Sequence, residues 1–227
     1  MMYFFDATYI LVIIGAVLSI MASINVQSTY SKYSNVHSKT GLTAERVAEM
    51  ILKGSGIYDV RIERISGKLT DHYSPTEKVL RLSDSVYGST SVAAIGVAAH
   101  ECGHAIQHAQ GYAPLKFRSA VVPVAKIGSA LSWPVILLGL IFDMTGLLNI
   151  GILLFSAIVL FQAVTLPVEF DASKRAITIL NNGALLYPDE IKCADSVLTA
   201  AALTYVAAMV TSILQLLRLI MLFGRRN

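Results

Sequence analysis

The chain contains the pentapeptide His100-Glu101-Cys102-Gly103-His104, which has the form His-Glu-x-x-His and lies among small, helix-compatible residues. Residues four apart on an α-helix share one face, so the imidazoles of His100 and His104 can bind one metal ion together. Glu101 lies about 100° around the helix, where its carboxylate can take a proton from a water beside that ion. The pattern therefore predicts a hydrolase with one Zn²⁺ per chain, two histidine ligands, and Glu101 as general base.

A catalytic zinc ion needs a third protein ligand and one open position for water. His108 continues the series, but on a continuous helix it lies about 12 Å of rise from His100, too far to share an ion bound at about 2 Å. Glu169 is the better candidate because it follows an apolar hairpin, and Pro167 is predicted to begin a helix with Glu169 in its first turn.

Two further side chains lie shortly after Glu169 and could contribute to a metal site. Asp171 is a weaker candidate ligand, because it points elsewhere on the predicted helix. Ser173 lies one turn beyond Glu169, and either it or Asp171 is expected to bond a ligand imidazole rather than the ion.

Composition predicts a membrane protein. The chain is 55% hydrophobic and 15% charged, with a mean hydropathy of +0.62. Four apolar stretches are long enough to span or nearly span a bilayer: 9–26, 119–142, 147–166 and 197–223. The first has no preceding Lys or Arg and no clear cleavage site, so it is interpreted as a retained anchor. No basic stripe with interleaved aromatic residues accompanies the net charge of +3, which argues against a nucleic-acid partner.

The polar segments show helix and strand patterns. Thr43 is a candidate N-cap of an amphipathic helix, and Ser91 is a candidate N-cap of the metal-binding helix 91–110. Alternating residues at 60–65 and 78–82, with an extended piece between them, predict a short antiparallel sheet. The expected fold is therefore a mainly α membrane protein with about four hydrophobic helices and a small α+β, zincin-like catalytic domain.

The hydrophobic and polar blocks alternate along the chain. A hairpin that crosses the membrane twice returns the chain to the side it left, so two polar blocks can build one site there. The predicted organisation is an N-terminal transmembrane anchor (1–26), a catalytic domain (27–118), a transmembrane hairpin (119–166), a second catalytic part with the third ligand (167–196), and a C-terminal hydrophobic helix (197–227). Cys102 and Cys193 are too few for a disulfide framework and are expected to be packed thiols.

These motifs resemble the YugP-type family of neutral zinc metallopeptidases of membranes over most of the chain. The resemblance is carried by Thr70-Asp71-His72-Tyr73 with Pro75, by 79–83, by 97–107 with its His-Glu-x-Gly-His core, by 169–173 and by 200–205. The chain is also distantly similar to heat-shock and prenyl-protease membrane metalloproteases. That likeness implies His100, His104 and Glu169 as zinc ligands and Glu101 as the base, with Ser173 standing where those proteases place an acid.

The implied reaction is hydrolysis of peptide bonds, with membrane proteins or unfolded segments as substrates. His72 and Tyr73 are candidate donors to the oxyanion, although they could equally be a polar turn that holds the sheet together. The strand at 79–82 is a candidate edge for pairing with an extended substrate. An amidase or aminopeptidase would use the same ligands, whereas a non-catalytic zinc-binding scaffold would not need Glu101. No residue pattern specifies an oligomeric state.

The sequence also suggests where the site lies. Residues 92–99 before the motif are too few to bury an ion at the bilayer midplane, so the zinc is expected near the interface. Lys and Arg residues flank the spans on the catalytic side, which places that side in the cytoplasm of a prokaryotic-type cell membrane. They are Lys32, Lys39, Lys116, Arg118, Lys174, Arg175 and Lys192. Arg218, Arg225 and Arg226 oppose this bias, unless 197–223 does not cross fully.

Overall fold

A computed structural model describes residues 6–223, and this part of the chain is mainly helical. In chain order the elements are α1 (Tyr9–Tyr33), α2 (Ala44–Gly54), β1 (Arg61–Ile65), β2 (His72–Ser74), β3 (Val79–Ser83), α3 (Val92–Ala109), α4 (Ala113–Ile141), α5 (Thr145–Asn182) and α6 (Pro188–Phe223). Helices α1, α4, α5 and α6 are long and apolar enough to cross a membrane. The predicted fold class, with about four hydrophobic helices and a small α+β part, is confirmed.

The described chain forms two compact units. The first contains the described parts of 1–23, 116–167 and 203–227. Its helices pack through small residues: a Cβ added at Gly128 would lie 2.5 Å from the carbonyl oxygen of Leu154, and the Thr211 hydroxyl donates to the carbonyl oxygen of Gly15 at 3.0 Å. Close helix approach of this kind is typical of membrane bundles. Lipid tails are as apolar as leucine, so helices in a bilayer associate through close packing rather than through the hydrophobic effect.

The second unit, 24–115 and 168–202, has its own hydrophobic core. Helix α2 buries one face, as its sequence pattern predicts; the face consists of Ala44, Val47, Ala48, Ile51 and Leu52. Thr43 occupies the N-cap position, but its hydroxyl makes no capping hydrogen bond. The first turn of α2 is instead held by the backbone, because the N–H of Ala44 donates to the carbonyl oxygen of Ser89 at 2.8 Å.

The sheet is mixed, so the prediction of a purely antiparallel sheet is wrong in one pairing. Strand order is β1-β3-β2, with β2 antiparallel and β1 parallel to the central β3. Val79, Leu80 and Leu82 of β3 are fully buried, which favours the centre of the sheet for this strand. The Asp71 carboxylate accepts one hydrogen bond from the N–H of Ser83 at 2.7 Å and another from the Ser83 hydroxyl at 2.9 Å. These bonds fix the connection between β1 and β2 to the end of β3.

The central position of β3 also corrects the expectation that this strand offers an edge to substrate. Both of its neighbours are already strands of the chain. A second correction concerns Pro167, which does not begin a helix but lies inside the continuous helix α5. A proline is tolerated within a long apolar helix where neighbouring groups satisfy the freed backbone carbonyl.

Candidate metal centre

Helix α3 carries the His-Glu-x-x-His pentapeptide, and its first turn is capped as predicted. The Ser91 hydroxyl accepts a hydrogen bond from the N–H of Ala94 at 3.2 Å. Most of the helix is buried in the core of the second unit, including Ala98, Ala99 and Cys102. His100 and His104, one turn apart, are therefore held on a rigid element rather than on a loop.

The structure brings His100, His104 and Glu169 together. One potential ligand atom from each of these residues lies within 4.8 Å of the others. The Oε2 atom of Glu169 is 3.3 Å from the Nε2 atom of His100 and 3.5 Å from that of His104. The Glu169 side chain is 3% exposed, so a carboxylate that is shielded from water faces two imidazoles.

Gly103 explains how α5 comes close enough to supply the third group. A Cβ atom at this position would lie 2.6 Å from the carbonyl oxygen of Ala172. Real Cβ atoms do not approach a backbone oxygen so closely, so only glycine allows this packing between α3 and α5. The sequence offered a signal for this contact, a glycine inside a predicted helix, but it did not identify the partner.

Each imidazole of the cluster is also contacted on its Nδ1 side. The Nδ1 atom of His100 lies 3.1 Å from the Ser173 hydroxyl, as expected for one of the two candidates near Glu169. The Nδ1 atom of His104 lies 3.1 Å from Oε1 of Gln107, a residue that the sequence did not single out. Asp171 bonds this glutamine rather than an imidazole, through an Nε2–Oδ2 hydrogen bond of 2.8 Å.

The donor set fits a zinc ion. Two imidazole nitrogens and one carboxylate are the ligands of a common class of catalytic zinc site, which leaves a coordination position for water. Because Ser173 and Gln107 engage the Nδ1 atoms, the Nε2 atoms of His100 and His104 are the ones directed toward Glu169. His108 is exposed and is not a member of this cluster, as its distance along the helix predicts.

Glu101 lies beside the cluster on α3 and is 8% exposed. Its Oε2 atom accepts a hydrogen bond from the backbone N–H of Tyr73 at 3.0 Å. Tyr73 lies in β2, which forms an edge of the sheet, and this N–H points away from β3. The carboxylate predicted to act as the base is therefore fixed by an edge strand.

The side chains of His72 and Tyr73 make other contacts. The Tyr73 hydroxyl lies 2.9 Å from Nδ1 of His108, and Nδ1 of His72 lies 2.9 Å from the carbonyl oxygen of Thr70. Burial, and secondarily the charge of Asp59, raise the pKa of the Tyr73 phenol above its usual value, so this group stays protonated at neutral pH. A protonated phenol can donate a hydrogen bond, and the oxyanion role of these two residues stays a prediction.

Both cysteines are free thiols. Cys102 is fully buried, and its thiol lies 3.7 Å from the carbonyl oxygen of Ala48. Burial, followed by the charge of Glu101, raises the pKa of the Cys102 thiol far above its usual value. A neutral, buried thiol is a packing group and a poor metal ligand.

Comparison with known proteins places the chain in a family. The model of the family described as "Putative neutral zinc metallopeptidase" matches residues 8–224. The chain is 45% identical over 206 residues, covering 91% of this chain and 92% of the relative, to a protein named "Putative membrane protease YugP" from Bacillus subtilis (strain 168). No solved structure matches. With this match over nearly its whole length and a His-His-Glu cluster that fits zinc, the chain belongs to the neutral zinc metallopeptidase family.

Proposed function

We propose that the protein is a membrane-bound zinc metalloendopeptidase that cleaves polypeptides near the membrane interface. The observation that carries this proposal is the convergence of His100, His104 and Glu169 within 4.8 Å, next to the carboxylate of Glu101. In this proposal the catalytic domain is 27–118 together with 167–196, the bounds that the sequence predicts. The family description specifies only a peptidase. We propose membrane proteins or unfolded segments as its substrates because the chain has four candidate membrane spans.

The proposed chemistry assigns one role to each side chain. A bound zinc ion would acidify a water molecule and polarise the scissile carbonyl. His100, His104 and Glu169 would hold the ion through Nε2, Nε2 and a carboxylate oxygen. The carboxylate of Glu101 would take the proton from the attacking water and deliver it to the nitrogen of the leaving amine.

We place the substrate backbone along the outer edge of β2. The N–H of Tyr73 points from that edge to Oε2 of Glu101 at 3.0 Å, so an extended peptide beside β2 would pass the general base. Because the N–H of Tyr73 is bonded to Glu101, pairing at this edge would use the Tyr73 carbonyl oxygen as acceptor. Main-chain pairing does not depend on substrate side chains, which suits a protease of broad specificity. Donation to the oxyanion by Tyr73 or His72 remains part of the proposal.

Cleavage of a dye-labelled unfolded protein by the detergent-purified, zinc-loaded enzyme tests the proposal. Wild type is expected to produce internal fragments, and Glu101→Gln to lose activity by a factor on the order of 10² to 10⁴ while still binding zinc. Glu49→Gln, on the exposed face of α2, is the matched control and should retain activity.

The products distinguish the alternatives. Stepwise loss of terminal residues would favour an aminopeptidase, and turnover of non-peptide amides alone would favour an amidase. Zinc binding without cleavage of any substrate would favour a scaffold. Equal cleavage by wild type and Glu101→Gln would contradict the proposed mechanism.

A further inference from the structure

Gln107 is a fully buried polar residue next to the candidate metal centre. Its amide makes three contacts: Oε1 lies 3.1 Å from Nδ1 of His104, and Nε2 donates to the carbonyl oxygen of Val168 and to Oδ2 of Asp171, both at 2.8 Å. The residue therefore links a ligand on α3 to the part of α5 that carries Glu169. A buried amide with this complete set of partners satisfies its hydrogen-bonding capacity.

The partners on α5 determine which way this amide points. A backbone carbonyl oxygen and a carboxylate oxygen only accept hydrogen bonds, so the NH₂ group of Gln107 must face Val168 and Asp171. Its Oε1 atom must then face His104, and this contact is a hydrogen bond only if Nδ1 of His104 carries the proton. The Nε2 atom of His104 is left with its lone pair, directed toward Glu169.

Asp171 is itself held in place from both helices. The Nε–H of Arg175 donates to Oδ2 of Asp171, and Nη1 of the same arginine donates to Oε1 of Gln110, each at 2.5 Å. The guanidinium also lies 5.5 Å from the ring centroid of Tyr112. Because Arg175 can only donate, it fixes Asp171 as an acceptor, and Asp171 in turn fixes the orientation of Gln107.

The partner of His100 works differently. The Ser173 hydroxyl can rotate and either donate or accept, so it does not select one tautomer of the imidazole. It also lines a cavity of about 260 Å³ together with Lys174 and Asp195, and is only half-buried. The two imidazoles thus have unequal support, adaptable at His100 and fixed at His104.

We propose that Gln107 is a positioning residue that holds His104 in the tautomer with the proton on Nδ1, and that Asp171 and Arg175 hold Gln107. The inference rests on the proposed zinc site and deepens it. In this proposal a series of hydrogen bonds holds the His104 imidazole ready to bind the ion. The series runs from His104 through Gln107, Asp171 and Arg175 to Gln110. Groups that orient a metal-bound imidazole commonly contribute a factor of about 10 to 100 in metal affinity.

Zinc affinity, measured by competition with a chelator on the full chain in detergent, is the first test. Gln107→Leu is expected to weaken zinc binding about 10- to 100-fold, and more than Ser173→Ala does at the other imidazole. Gln107→Glu combined with Asp171→Asn restores an acceptor at His104 without placing two carboxylates together, although it loses the hydrogen bond to the Val168 carbonyl oxygen. This double variant should recover part of the affinity that Gln107→Leu loses.

Thermal unfolding of the metal-free variants separates positioning from packing. If Gln107→Leu binds zinc as tightly as wild type, the proposal is wrong. It is equally wrong if the double variant fails to recover affinity and the zinc losses simply follow the losses in stability of the metal-free chain.

Nitrogen-15 NMR of histidine-labelled, metal-free Glu169→Gln protein provides a readout that needs neither zinc nor activity. This background removes the carboxylate that would otherwise attract a proton to Nε2 of His104 when no ion is bound. At a pH where the imidazoles are neutral, His104 is expected to carry its proton on Nδ1 in this background and to shift toward the Nε2–H form when Gln107→Leu is added. His100 should be unchanged between the two. An Nε2–H form of His104 in the Glu169→Gln protein would overturn the proposal, whereas an Nδ1–H form there, together with a wild type that fails to bind zinc, would refute the proposed function alone.

Discussion

At the scale of single residues, the site depends on one buried carboxylate between two imidazoles. Glu169 is 3% exposed and lies 3.3 and 3.5 Å from the two Nε2 atoms. Burying a carboxylate is costly unless charge-complementary groups surround it, so this arrangement is expected where a cation binds. His100 and His104 without Glu169 would provide only two of the three protein ligands that a catalytic zinc ion requires.

Glu169→Gln is predicted to bind zinc much more weakly than wild type and to lose proteolysis. The substitution keeps the shape of the side chain but replaces an anionic oxygen ligand with a neutral amide. Equilibrium dialysis against zinc, followed by metal analysis, measures the loss, and Glu49→Gln on the exposed surface of α2 serves as the control. Zinc binding equal to wild type would show that Glu169 is not a ligand.

At the scale of elements, the contact between α3 and α5 sets the distance between the histidines and Glu169. Gly103 allows that contact, since its Cα faces the carbonyl oxygen of Ala172. Gly96 lies earlier on the same helix, where an added Cβ would meet the Cβ of Ala194 at 3.4 Å, an ordinary contact. The two glycines therefore form a natural pair for comparison.

Gly103→Ala is predicted to destabilise the protein by about 1 to 3 kcal/mol through overpacking, and to weaken zinc binding because α5 is displaced. Gly96→Ala should be neutral or slightly stabilising, because alanine favours a helix over glycine by about 1 kcal/mol. Chemical unfolding of both variants, with and without zinc, gives the comparison. Equal free energies of unfolding for the two variants would mean that the close approach at Gly103 does not affect stability.

The edge strand β2 leads to a second prediction at this scale. Tyr73→Pro removes the N–H that reaches Glu101, and Tyr73→Ala removes the side chain but keeps that N–H. A proline is tolerated on the outward side of an edge strand, so the sheet should survive. The proline variant is expected to show a much lower kcat/KM than the alanine variant, measured with a peptide substrate.

Equal losses in the proline and alanine variants would contradict a role for the backbone of β2. Tyr73→Phe isolates the phenol in the same assay. A loss of kcat in this variant would support donation to the oxyanion, whereas unchanged kinetics would favour the contact with His108 as a structural bond.

At the scale of the whole molecule, the chain has four helices that could span a membrane. The candidate site lies in the second unit, 24–115 and 168–202. Because Lys and Arg flank the predicted spans on the catalytic side, we expect that unit to face the cytoplasm. Labelling of the two cysteines can measure directly which side of the membrane this unit faces. Cys102 is fully buried, whereas Cys193 is partly exposed and lies in the same unit.

A membrane-impermeant thiol reagent is predicted to label Cys193 in inside-out vesicles and not in right-side-out ones. Cys102 should stay unlabelled in both, since burial holds its pKa far above the usual range and keeps the thiol neutral. Cys193→Ser is the control and should abolish labelling. Labelling of wild type only in right-side-out vesicles would place the catalytic unit on the outer side.

Much of the molecule follows from local patterns that a sequence displays directly. Helical spacing puts His100, Glu101 and His104 on adjoining faces of one helix, and hydrophobic length marks four helices as candidate spans. The capping serine of α3 and the buried face of α2 follow from equally local rules. These features depend on residues within a few turns of each other, so no knowledge of the fold is needed.

Other features depend on contacts between residues far apart in the chain. The parallel pairing of β1 with β3, the close approach of Gly103 to Ala172, and the link from His104 through Gln107 to Asp171 are all of this kind. A sequence gives the type of such residues but not their partners, because packing selects one arrangement among many of similar local preference. The sequence alone thus determined which metal-binding and acidic groups the chain offers, and the tertiary structure decided which of them come together and which groups hold them in place.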